Sequence, residues 1–275
     1  MRPYILYLII ILLLFPSMLK GQDPSLDTPV VLEKLFGRLV NNNDNTARLR
    51  INDSIRIIVD NYVRSDSIFD HNFTSLRYLG QITSPDSLLK IVTWNLVLIN
   101  SPGKYFCYFI KRGEPGKSNR VYSLTTDYRG DLIMTDTTYT VSDWYGALYY
   151  DLKPYLIAGK RLWVLLGIDF SDPVISRKII DVLSFTSDDS ILFGRKWFES
   201  GDQLRYRQVF EYASNGMMTL RFTSDKSIVF DHLVPIFQSQ KTDRQLYGSD
   251  FSFDAYNFED GIWKFSLNVD ARNKE

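Results

Sequence analysis

"LKIVTWNLVLINSPGKYFCYFIK", residues 89–111, is the stretch whose reading decides the fold. Residues 89–99 and 104–111 are two runs rich in β-branched and aromatic side chains, the composition of strands. Along the second run a two-residue period puts Tyr105, Cys107 and Phe109 on one face and their neighbours on the other. The Ser-Pro-Gly between the runs supplies turn chemistry. So short a link joins antiparallel neighbours, whereas a parallel crossover needs about a dozen residues. The segment therefore reads as a hairpin.

The same alternation recurs through the rest of the chain. Further candidate strands are LRYLGQI (76–82), VYSLTT (121–126), GALYYDL (146–152), RLWVLLGI (161–168), KIIDVLSF (178–185) and SILFG (190–194). They continue as YRQVFEYA (206–213), MMTLRF (217–222), SIVFDHL (227–233), FDAYNF (253–258) and IWKFSLNV (262–269). Polar turn segments such as RGEPGKSN, SDDS, SNGM, SDKS and EDG separate many of them. No long helical pattern interrupts the series after residue 73. The expected fold is mainly β: an antiparallel, meandering domain over 73–275, closed as a sandwich or a barrel, with blade-like packing open as well. No internal repeat stands out.

Upstream the period lengthens. VVLEKLFGRLV (30–40) sets Val31, Leu32, Leu35, Phe36 and Leu39 on one helical stripe, with Thr28 and Pro29 as cap and first-turn residues. NNNDN (41–45) ends that helix, and TARLRINDSIRIIVDNYV (46–63) carries a second stripe of Leu49, Ile55, Ile58, Val59 and Tyr62. Two such helices must bury their stripes on each other or on the sheet that follows, which makes the whole α+β.

The first 21 residues combine Arg2, an unbroken apolar run from Tyr4 to Phe15, a Pro16-Ser17 break and Gly21. Spanning a hydrocarbon core of about 30 Å takes about 20 apolar residues, and this run is shorter. It reads as a secretory signal cut near Gly21–Gln22, with an uncleaved N-terminal anchor as the alternative; no cysteine near the cut offers a lipid anchor. The organisation is then a signal over 1–21, a linker and helical segment over 22–72, and the β domain over 73–275. The expected location is the periplasm or cell envelope, or outside the cell, with no transmembrane span in the mature chain.

Composition narrows the chemistry. Lysine plus arginine equals aspartate plus glutamate, 32 each. A chain without basic excess is a poor partner for nucleic acid. Cys107 is the sole cysteine, so no intramolecular disulfide forms, and it reads as a small buried hydrophobe. With two histidines, His71 and His232, neither a three-histidine metal site nor Cys/His zinc spacing is available. No G-x-S-x-G elbow, phosphate-binding P-loop or G-x-G-x-x-G turn occurs. The expectation is no metal and no cofactor.

The weak catalytic candidates are His232, Glu211 and Asp169. Asp231 precedes His232, but adjacent strand residues point to opposite faces, so Asp231 cannot orient the ring without a bulge or strand end. Glu211 and Asp169 each follow apolar residues that could desolvate them, and two carboxylates about 5–10 Å apart suffice for glycoside hydrolysis. Pairing with Arg205 or Arg207 is the structural alternative. Asp250, Asp254, Glu259 and Asp260 offer oxygens for an irregular calcium site but lack EF-hand spacing. Arg129-Gly130-Asp131 reads as an ordinary turn. Aromatics are the compositional excess, 5 Trp, 17 Tyr and 18 Phe. WYGALYY makes Trp144 and Tyr145 the candidate binding platform, with core packing as its rival.

Blocks of this chain, in order, resemble a group of exported proteins of Bacteroidetes to which no activity is assigned. They are SPDSLLKIVTWN, WYGALYY, LLGIDF, KIIDVLSF, VFEY, IVFDHL, YGSDFSFDAY and NVDARN, covering roughly residues 75–273. In that group the segment at 165–170 is closer to LLGWDG; Ile168 and Phe170 here remove the tryptophan and glycine, which weakens an aromatic plate at this loop. The resemblance also implies O-glycosylation at Asp-Ser followed by an apolar residue, at Ser54, Ser67, Ser87 and Ser190. The functional expectation is a non-catalytic binding or scaffold module of the periplasm or envelope, engaging an envelope glycan or another envelope protein. The alternatives are a carboxylate-dependent hydrolase of envelope glycans and an anchored envelope assembly factor.

Overall fold

Asp44 starts the longer helix: its carboxylate accepts from the backbone amides of Thr46 (3.1 Å) and Ala47 (3.0 Å), two donors that a first turn leaves unsatisfied. That helix, α2, spans Asn45–Val63, and α1 spans Thr28–Val40 with Asp27 at its N-cap and Pro29 in its first turn. The computed structural model describes residues 27–74, 76–237 and 241–270. The signal segment, its cut and the anchor alternative lie outside the described residues.

The strands are β1 (Gly80–Thr83), β2 (Leu89–Leu98), β3 (Ser101–Lys111), β4 (Arg120–Asp127), β5 (Leu148–Ile157), β6 (Lys160–Asp169), β7 (Ile175–Phe185) and β8 (Ile191–Phe193). They continue as β9 (Phe198–Ser200), β10 (Gln203–Arg205), β11 (Gln208–Ala213), β12 (Leu220–Ser224), β13 (Ser227–Pro235), β14 (Tyr247–Glu259) and β15 (Ile262–Ser266). They form three sheets rather than the two of a simple sandwich. The first has the order β1-β2-β3-β4, the second β11-β7-β6-β5 with β8 beside β7, and the third β10-β9-β15-β14-β13-β12. Pairing is antiparallel except for a single parallel contact, Trp263 with Phe198. The meander is interrupted where the chain leaves β8 for β9 and β10 of the third sheet, returns to the second sheet with β11, and then re-enters the third with β12.

Three apolar interfaces hold four layers together. Both helices lie on one face of the first sheet, where Phe36, Ile55 and Val59 meet Val92, Trp94, Phe106 and Ile110. The other face of that sheet, with Tyr105, Cys107 and Phe109 together as alternation requires, packs on Tyr149, Trp163, Leu165 and Ile179. The far side of the second sheet, with Val164, Leu166, Ile180 and Val182, packs on Phe198, Ile228, Phe230 and Trp263 of the third. Being covered on both faces explains why RLWVLLG of β6 is almost unbroken in hydrophobicity instead of alternating.

Some expectations shift at the margins. Val31 and Leu49, placed on the helix stripes, are exposed, while Ile51 and Val63 are buried instead. Of the expected strand at 76–82 only the part from Gly80 pairs; Leu76 and Leu79 pack as irregular chain against the helix-side core. Gly146, at φ +86°, permits the turn into β5, where a Cβ would lie 2.5 Å from the Tyr105 ring.

Candidate functional site

Side-chain direction along β13 separates the neighbours Asp231 and His232. A bulge does fall between Asp231 and Leu233, yet Asp231 accepts from the Thr219 amide at 2.8 Å on its own side. His232 Nδ1 lies 2.7 Å from Asp254 Oδ2 on the adjacent strand β14. Asp254 is buried and its other oxygen accepts from the Asn268 amide at 3.1 Å. The imidazole is thus held by a carboxylate from a different part of the chain, in a half-buried position.

Asp169 and Glu211 do converge, through one guanidinium. Register places both opposite Arg177: Asp169 across the β6–β7 ladder and Glu211 across β11–β7. Arg177 Nη1 is 3.0 Å from Asp169 and its Nε 2.9 Å from Glu211. Asp169 also accepts from the Tyr105 hydroxyl (2.9 Å) and from the amide and hydroxyl of Ser171 (2.8 and 3.0 Å). Both its oxygens are therefore occupied, as the low-dielectric interior demands. The partner is Arg177 rather than the expected Arg205 or Arg207. Arg207 is fully buried against Asp181 at 3.0 Å and donates to the carbonyls of Met134, Thr137 and Phe193. That clamps the 134–137 segment to the second sheet.

The aromatic platform is corrected to core. Trp144 is 1 % exposed, and its Nε1 donates to the Tyr149 hydroxyl at 3.0 Å. The Tyr145 hydroxyl donates to Asp181 at 2.8 Å, and burial pushes that phenol well above its ordinary range. An aromatic plate needs an open ring face, and Trp144 has none. Cys107 is also fully buried, and desolvation pushes its thiol up, away from the reactive thiolate.

The remaining sequence features sit apart. Asp250 binds the amide and hydroxyl of Ser252, Asp254 holds His232, and Glu259 and Asp260 face Lys264. Among the described residues no group of three or more acidic, histidine or cysteine side chains is placed to hold a metal. Ser54 is exposed on α2, Ser87 and Ser190 are exposed in turns, and Ser67 is half-buried. Arg129-Gly130-Asp131 borders a small cavity of about 150 Å³ that also touches Tyr145 and Asp169.

Two larger hollows bear on function. One, of about 480 Å³, brings Glu211 together with Glu199, Gln208, Arg244, Tyr256 and Phe265. Glu199 there accepts from the Phe265 amide at 3.0 Å, so both carboxylates already have partners.

The other is a groove of about 1260 Å³ at one open end of the interface between the first and second sheets. Leu88, Trp163 and Phe185 give it an apolar floor, and five cations border it: Lys111, Arg112, Lys117, Lys160 and Arg161. Arg161 pairs with Asp86 at 2.6 Å, Lys117 with Glu114 at 2.5 Å, and Lys111 shares Asp189 with Arg120. The Arg112 guanidinium donates to the Ser87 carbonyl and lies 4.1 Å over the Phe69 ring. Lys160, the exposed first residue of β6, has no carboxylate within ion-pair reach among the described residues. Trp163 is 2 % exposed, yet its Nε1 has no acceptor among them. Sequence reading missed this groove, because KRGEPGKSN reads as a turn. The available signal was a pair of adjacent cations at each of two strand ends, Lys111-Arg112 and Lys160-Arg161, which only the stacking of sheets brings together.

Comparison of the chain with protein-family models and with curated proteins gives no match. No helix among the described residues is long and apolar enough to cross a membrane.

Proposed function

We propose that this chain is an exported binding or scaffold module of the periplasm or cell envelope, of the Bacteroidetes type its sequence blocks resemble. The observation that carries the reading is the groove beside Trp163: a hollow with a carbon floor, a cationic rim and a buried donor without an acceptor among the described residues, set where strand ends meet their connecting loops. It is supported by the engagement of Asp169 and Glu211 with Arg177, which gives these carboxylates a structural task. The working surface is then a preformed pocket, and the partner is an envelope molecule such as a glycan or another envelope protein.

Native mass spectrometry of the chain recovered from envelope extract tests this. A retained ligand or partner that is lost in Lys160→Glu supports binding at the groove; identical empty spectra for both proteins reject it. N-terminal sequencing of the recovered chain tests export, since a retained Met1 opposes cleavage near Gly21.

One observation favours hydrolysis as a second reading: Glu199 and Glu211 border the same cleft. Screening glycan hydrolysis by wild type against Glu211→Gln decides it. Activity in the wild type that drops at least about a hundredfold in the variant would establish an acid/base role.

A further inference from the structure

We infer that the groove takes an amphiphilic organic anion: an acyl or aryl body carrying a carboxylate or phosphate head. The inference deepens the binding reading above and rests on it. Three features of the groove constrain its occupant independently. Its floor is carbon, from Leu88, Trp163 and Phe185, the last two meeting edge-to-face at 5.7 Å. A fully hydrated ligand would gain little from such a floor, whereas an apolar body removes it from water.

Its rim carries uncompensated positive charge. Counting Arg120, six cations gather around this end of the sheets against four carboxylates, Asp66, Asp86, Glu114 and Asp189, the last three of which hold four of the cations. Among the described residues Arg112 and Lys160 form no ion pair, and Lys111 and Arg120 divide a single carboxylate. Two cations, Arg112 beside the end of β3 in the first sheet and Lys160 at the start of β6 in the second, favour an anion in the groove they border, because low-dielectric surroundings strengthen the attraction. A cationic or neutral occupant would leave that charge unmatched.

The third feature is the Trp163 indole. Its Nε1 can only donate, is enclosed within the floor and has no acceptor among the described residues, so an occupant that reaches it must bring an acceptor oxygen. A head-group or linkage oxygen meets that requirement, and a plain hydrocarbon does not. Carboxylate and phosphate share the chemistry the rim would recognise, and an experiment separates them.

Isothermal titration calorimetry of the full chain would use decanoate, monodecyl phosphate, decyl maltoside and inorganic phosphate, each below its micellar range. The two charged amphiphiles are expected to bind, and to bind at least about tenfold more tightly than the neutral detergent or free phosphate. Their difference from each other reports which head group is preferred. Lys160→Glu, an exposed position whose fold circular dichroism would verify, should weaken them about tenfold, with the deficit shrinking at high salt. Trp163→Phe keeps the floor and removes the donor, and should weaken binding with little dependence on salt. Equal affinity for decyl maltoside, tight binding of inorganic phosphate alone, or indifference to Lys160→Glu would each overturn the ligand class. If no probe binds while Lys160→Glu still loses a partner retained from envelope extract, the amphiphile is wrong and the binding reading stands. If nothing is lost there either, both fall.

Discussion

Arg177 is the residue on which most of the buried charge in the second sheet turns. Its guanidinium and Asp169 are each almost wholly buried, and Glu211 is mostly so. Removing one member of a buried ion pair leaves the other without compensation, which costs about 3–5 kcal/mol. Arg177→Ala should therefore lower stability by about that amount in urea denaturation, whereas Glu211→Gln, at a partly solvated position, should cost about 1 kcal/mol or less. Similar losses for the two variants would contradict this account. Lys90 is a further buried charge of consequence. Its ammonium donates to the Tyr62 hydroxyl (2.9 Å), the Ile68 carbonyl (2.6 Å) and the His71 carbonyl, filling all three donor positions. Desolvation nonetheless brings its pKa down to about 8. Above pH 8 the folded chain releases this proton while the unfolded chain keeps it until about pH 10.4, so the unfolded state binds more protons and stability rises with pH in that window. The Lys90 contribution is expected as a pH-dependent difference between wild type and Lys90→Met in thermal melts from pH 8 to 10. Identical pH slopes would refute it. Buried phenols such as Tyr105 and Tyr149 are pushed up and act oppositely above pH 10, where the unfolded chain ionises first.

At the scale of elements, local chemistry explains where helices begin, and register explains what strands hold. Asp44 is the one side chain that accepts the first-turn amides of α2, so Asp44→Ala should cost about 1 kcal/mol and fray that turn. Loss of helical ellipticity together with lowered stability would show it; an unchanged melting curve would count against the cap. The strands were legible because a period of two is a local property. Their partners were not. Arg177 stands opposite Asp169 only because β6 and β7 align at one register, and opposite Glu211 only because β11 pairs with β7 from the other side. A slip of one residue would turn each of these side chains to the wrong face. The same reasoning explains His232: opposing faces on one strand were readable, and its bond to Asp254 on the next was not.

For the whole molecule, layering sets both rigidity and the place of the groove. The second sheet is covered on both faces, by the first sheet and by the third. Its central strands β6 and β7 should exchange amide hydrogens most slowly, and the edge strands β10 and β12 much faster. Hydrogen-exchange mass spectrometry that finds the third sheet better protected than the second would contradict the layer order. Aromatic excess is accounted for at this scale too. Trp94, Trp144, Trp197 and Trp263 are all nearly completely buried, one or more in each interface, so the excess fills three sheet-covering cores instead of lining an exposed plate.

The sequence by itself determined the helical start, the strand-rich remainder, the side-chain alternation that parts Asp231 from His232, and the lack of familiar metal and phosphate motifs. Each depends on residues close together in the chain, where spacing translates directly into direction. Only the tertiary structure decided that the strands divide into three stacked sheets, that Arg177 joins Asp169 to Glu211, and that two pairs of cations meet above Trp163. Those outcomes depend on contacts between segments tens of residues apart, and local periodicity carries no record of which distant strand lies alongside.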